Sequence, residues 1–112
     1  MTKQEFQKLT ENHVLLLDGA TGSNLMKAGM PRGVCTESWV LEHKDVIQSL
    51  QKAYIEAGSH IIYAPTFGGN RINLTMHGLE DQIEQINHTL AGYSKEIAPE
   101  SVLVAGDITT TG

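Results

Sequence analysis

Three short apolar runs, each closed by a polar, glycine-bearing loop, constrain this chain most. They read His13-Val-Leu-Leu-Leu17, His60-Ile-Ile-Tyr-Ala64 and Val102-Leu-Val-Ala105. Apolar residues at consecutive positions suit a strand covered on both faces, the condition met in a parallel sheet. The segments between them carry the helical period instead. Val46, Ile47, Leu50, Ala53, Tyr54 and Ala57 fall on one helical face, with Asp45 near the start and Gly58 just past the end. Ile83, Ile86, Leu90 and Ile97 form a second such face, with Glu80 and Asp81 at its N-terminal end and Pro99 stopping it. Thr2 and Glu5 fit a capping box for a short N-terminal helix that places Phe6 and Leu9 on one stripe. Ser23 to Ala28 reads as a brief helical turn ended by Gly29, and residues 30–36 as an irregular connection. The order helix, strand, helix, strand, helix, strand predicts an α/β fold of parallel βα units joined by right-handed crossovers.

The 112 residues suit one domain, 1–112, and 40% hydrophobic content allows a real core. No apolar stretch nears the roughly 20 residues that span a bilayer. The N-terminus has no apolar signal core, which points to the cytoplasm. Thirteen acids against eight scattered bases give a net charge of −5, unfavourable to nucleic acid and to anionic membrane surfaces. The single Cys35 cannot form an internal disulfide or build a Cys-rich metal site alone.

In a parallel arrangement the three loops leave the same edge of the sheet. They are Asp18-Gly-Ala-Thr-Gly-Ser-Asn24, Pro65-Thr-Phe-Gly-Gly-Asn70 and Gly106-Asp-Ile-Thr-Thr-Thr-Gly112. Ligands of α/β folds bind at that carboxyl edge. Each loop alone has a plainer reading, since glycine after a strand also just turns the chain. Asp18 is the residue to follow: a carboxylate at the end of a buried strand is costly unless paired. It either caps the next turn or holds a ligand's ammonium group.

Other chemistries find less support. The first loop lacks the lysine of GxxxxGK[ST], no GxGxxG follows the first run, and no GxSxG occurs. The five His, at 13, 43, 60, 77 and 88, form no HxH, HExxH or i,i+4 pair. Cys35 reads as an ordinary thiol and Trp39 as a packing residue.

At this point the motifs resemble a known family. Leu15-Leu-Leu-Asp18-Gly-Ala-Thr-Gly22, then Ala53 to Asn70 with its Ala57-Gly-Ser turn and Thr66-Phe-Gly, then Val104-Ala-Gly-Asp107, are similar to the homocysteine S-methyltransferases. The nearest flavour is the N-terminal homocysteine-binding module of cobalamin-dependent methionine synthases. The resemblance implies a (β/α)8 TIM-type barrel in which thiolate-held zinc binds the homocysteine sulfur and a methyl group is transferred to give methionine. For the cobalamin enzymes of the family it implies methylcobalamin on another module as donor, its methyl group derived from methyltetrahydrofolate. It also implies substrate-binding roles for Asp18, Gly19 and Ala20 in the first loop and for Thr66 and Phe67 in the second.

The family's zinc ligands, a cysteine near the sixth strand and a Cys-Cys pair near the last, have no counterpart here. The expectation is therefore the first three strands of the barrel, inactive alone, with no metal-binding or catalytic residue of its own. On this reading, 112 residues mark a truncation, since such a barrel takes about 250. Two alternatives stand beside it. One is a non-catalytic α/β module that self-associates, or docks to the rest of a barrel, through open sheet edges. The other is an unrelated small enzyme using Asp18 and Asp107 as an acid/base pair.

Overall fold

The computed structural model describes residues 1–111; Gly112, the last residue of the third loop, lies outside them. The elements run α1 (Lys3–Glu11), α2 (Gly22–Lys27), α3 (Thr36–Glu42), α4 (Lys44–Glu56), β1 (Ile61–Tyr63), α5 (Arg71–Met76), a 3-10 turn (Glu80–Gln82), α6 (Ile83–Ile97) and β2 (Leu103–Ala105). Their ends follow local chemistry. The Thr2–Glu5 capping box is present, with the Glu5 N–H on Thr2 Oγ1 at 3.1 Å and the Thr2 N–H on Glu5 Oε2 at 2.5 Å. Gly58 ends α4 at φ +112°, a conformation open to glycine. Pro99 pushes Ala98 to an extended ψ of 121°, which stops α6. Two helices go beyond the sequence reading: α3 and α5 lie in segments too short to show a period.

The sheet differs from expectation in one respect. Two strands pair, not three: β1 and β2 run parallel with Ile61 opposite Leu103, Ile62 opposite Val104 and Tyr63 opposite Ala105. The first apolar run lies on the other side of β1, also parallel, but as the single bridge Leu17–Ile61. The Asp18 N–H donates to the Ile61 carbonyl at 3.0 Å and the His60 N–H to the Leu16 carbonyl at 2.8 Å. There the ladder ends, because the Leu16 N–H turns to His60 Nδ1 at 2.9 Å and not to a main-chain carbonyl. Upstream the run is not covered on both faces: Val14 is 84% exposed and Leu16 53%. No closed barrel forms among the described residues.

The core lies on the helical side. Leu25, Met30, Cys35, Val40, Ile47, Leu74, Ile86 and Leu90 make one buried cluster, with Trp39 and Tyr93 packed against it. Ile62 and Ala64 are buried on one face of the sheet, against which α4 and α6 pack, while Tyr63 on the other face is exposed. The helical stripes are narrower than read. Only Ile47 of the α4 stripe is buried, beside an unexpected Gln51, whose Nε2 donates to the Tyr63 carbonyl at 2.9 Å. Among the described residues no helix is long and apolar enough to cross a membrane.

Candidate functional site

The carboxyl ends of the strands converge on a cavity of about 400 Å³. Asp18 and Gly19 reach it from the first loop, Tyr63 from β1, Pro65 and Phe67 from the second loop, Asp107 from the third, and Glu37 from the first turn of α3. Three acidic residues therefore line it, and no Lys, Arg or His stands among the lining residues. Such a cavity favours a ligand that presents a cation.

Asp18 is fixed at both ends. Its N–H donates to Ile61, and its Oδ2 accepts the Tyr63 N–H at 3.1 Å, which ties the first loop to β1. Burial pushes its carboxyl above the ordinary aspartate value; the N–H groups of Tyr63 and of Asp18 itself oppose this, and the charge of Asp107 adds to it. A ligand cation at this carboxylate would reverse the shift.

Gly19 is needed for close approach, since a Cβ there would stand 2.9 Å from Tyr54 Oη. That hydroxyl donates to the Ala20 carbonyl at 2.7 Å, and Asn24 Nδ2 donates to the same oxygen at 2.8 Å. Ala20 thus anchors the first loop and does not line the cavity. Thr66 is also behind the wall, 9% exposed, its hydroxyl bound to the main chain of Asp107. Phe67 faces the cavity and is 63% exposed. Of the five residues singled out by resemblance, the structure gathers Asp18, Gly19 and Phe67 at the cavity and leaves Ala20 and Thr66 off its lining.

Glu37 was missed. Its sequence signal is no more than an acid in the first turn of a helix, whereas its partner, the Gly68 N–H at 2.6 Å, lies 31 positions away. Cys35 is buried, its Sγ 3.6 Å from Glu37 Oε2. Burial pushes its thiol up and the neighbouring Glu37 charge adds to this, the opposite of what a nucleophilic thiolate needs. Among the described residues no three His, Cys, Asp or Glu side chains group as a metal site.

Comparison with known proteins agrees on one family. The family model described as homocysteine S-methyltransferase matches residues 15–112. The S-methylmethionine–homocysteine S-methyltransferase of Pongo abelii is 29% identical over 107 residues, covering 94% of this chain and 28% of that protein. The methionine synthase of Mycobacterium tuberculosis is 29% identical over 93 residues, 78% of this chain and 8% of that protein. Among solved structures, the metallated homocysteine methyltransferase MmuM of Escherichia coli superposes with a TM-score of 0.73 at 19% identity, over 91% of this chain and 40% of that one. The chain thus shares that fold and spans well under half the length of these relatives.

Proposed function

The chain belongs to the homocysteine S-methyltransferase family, and from that premise we propose that it forms the part of such an enzyme that receives the amino-acid end of homocysteine. Residues 1–112 are then the N-terminal portion of a homocysteine-binding (β/α)8 barrel. The observation that carries this is the acidic cavity at the strand ends, with Asp18, Glu37 and Asp107 on its wall. The Asp18 carboxylate accepts the substrate ammonium group, which removes the cost of its burial. Gly19 lets the loop approach closely, and Phe67 supplies an apolar wall for the substrate's methylene carbons. Ala20 and Thr66 act indirectly, by holding the first loop and the third.

The reaction is methyl transfer to sulfur. A C–S bond forms, the donor–methyl bond breaks, the thiol proton leaves, and methionine results. Zinc, expected from the family resemblance, finds no donor set among the described residues. Cys35 is buried in the core cluster, with the Glu37 carboxylate as its side-chain hydrogen-bond partner. A methylcobalamin donor is the narrower form of the proposal. The chain is equally similar, at 29% identity, to a methionine synthase and to an S-methylmethionine enzyme, whose name points to a sulfonium donor instead.

L-Homocysteine titrated into the full chain tests the reading, with 4-mercaptobutanoate, which lacks the amine, as comparator. Loss of the charge-assisted contact predicts at least about tenfold weaker binding of the comparator. Equal affinities would sink the assignment of Asp18.

A second reading rests on its own observation. Val14, Leu16, Leu17 and Ile108 are exposed at 84%, 53%, 49% and 96%, beside a sheet that does not close. That surface supports self-association, or contact with further barrel strands, through the open edges. Light scattering distinguishes them: a monomer at tens of micromolar removes self-association.

A further inference from the structure

Side chains from three helices hold the loop after β1, and one of them is a carboxylate. Glu37, in the first turn of α3, is 3% exposed. Its Oε1 accepts the Gly68 N–H at 2.6 Å, and its Oε2 faces the Cys35 thiol at 3.6 Å. Among the described residues no Lys, Arg or His forms an ion pair with it. Both oxygens of this buried side chain are thus engaged within the fold.

The next two peptides are held as well. Asn73 Nδ2, from α5, donates to the Gly68 carbonyl at 2.7 Å, and Asn87 Nδ2, from α6, donates to the Gly69 carbonyl at 2.7 Å. A Cβ on residue 68 would stand 2.6 Å from Asn73 Nδ2 and 2.8 Å from Glu37 Oε1, so the clamp closes only on glycine. The consequence shows at the preceding residue. Phe67 is displayed, not packed into the core: it lines the acidic cavity and also a second one of about 230 Å³ beside Asn70 and His77. Thr36, Glu37 and Phe67 form the wall that the two cavities share.

We propose that Glu37 is a positioning residue: its buried carboxylate fixes the Phe67–Gly68 peptide so that the Phe67 ring partitions the two cavities and sets how tightly the acidic one holds its ligand. The inference rests on the homocysteine reading only in taking L-homocysteine as the probe. The clamp itself stands on geometry.

The test uses the full chain with Glu37→Ala, Glu37→Gln and Glu37→Asp. Amide exchange at Gly68, the Phe67 ring resonances and L-homocysteine affinity are followed, with the Ile61–Tyr63 amides as internal control. Glu37→Ala is expected to speed Gly68 exchange and weaken homocysteine binding, each about tenfold, while β1 exchange stays unchanged. Glu37→Gln keeps an oxygen acceptor and should hold Gly68 exchange and the Phe67 resonances within about threefold of the parent; Glu37→Asp, a methylene shorter, should lose like Glu37→Ala, and serves if the alanine variant does not fold. Unchanged Gly68 exchange in Glu37→Ala would overturn the proposal. So would parallel losses at Gly68 and in β1 across all variants, which mark a general loosening. If the parent chain shows no homocysteine binding, the homocysteine reading falls by itself. Gly68 exchange and the Phe67 resonances, moved by Glu37→Ala and kept by Glu37→Gln, then decide the role of Glu37.

Discussion

The Thr66 hydroxyl is bound twice to the main chain of Asp107: it donates to the Asp107 carbonyl and accepts the Asp107 N–H, both at 3.0 Å. One side chain thereby ties the second strand-end loop to the third, just where both reach the cavity wall. Thr66→Val keeps the shape and leaves two polar groups of Asp107 without that partner. A loss of about 1–3 kcal/mol is expected. Urea denaturation checks it: the midpoint should fall at unchanged slope.

Asp18 predicts a pH dependence with a definite sign. Its folded-state carboxyl titrates above the ordinary value, chiefly through burial. Between the unfolded and the folded value, the native state binds more protons than the unfolded chain. Stability therefore falls as pH rises through that window. Affinity for an ammonium ligand runs the other way, rising as Asp18 ionises. Asp18→Asn should remove this component of both slopes. Melting and homocysteine titrations at several pH values check it, and a parent and variant with identical slopes would contradict it.

Gly19 and Tyr54 form a testable pair. Gly19→Ala forces its Cβ against Tyr54 Oη and displaces the hydroxyl from the Ala20 carbonyl. The expected cost is about 1–3 kcal/mol. Tyr54→Phe should cost about 1 kcal/mol alone and less in the Gly19→Ala background, where the bond is already disturbed. A double-mutant cycle with no coupling would show that the two do not meet.

The N-terminal helix should open before the rest. It buries no residue, so its order depends on local terms, above all the Thr2–Glu5 box. Thr2→Ala should remove about 1 kcal/mol of helix stability. Exchange in residues 3–11 should rise while the amides of α4 and α6 hold their protection.

How much was legible follows from the range of the signal. The helices α4 and α6 and the parallel order of the apolar runs were read correctly, because period and caps are local. The first run was misread as a full strand. Its composition is right, but His60, 44 positions from Leu16, takes the Leu16 N–H and ends the ladder. Gln51 was missed because a polar residue gives no sign that a carbonyl 12 positions on will hold it.

The sequence by itself determined the fold class, the carboxyl edge where the loops gather, and the family, since these depend on local pattern and on motifs in order. Only the tertiary structure decided which loop residues face the cavity. Thr66 turned inward as a fastening, the Ala20 carbonyl took Tyr54 and Asn24, Glu37 was brought from α3 to hold Gly68, and Phe67 was left exposed on the wall. The physical reason is that hydrogen bonds between loops depend on how the crossovers pack, and packing joins residues that no spacing in the chain relates.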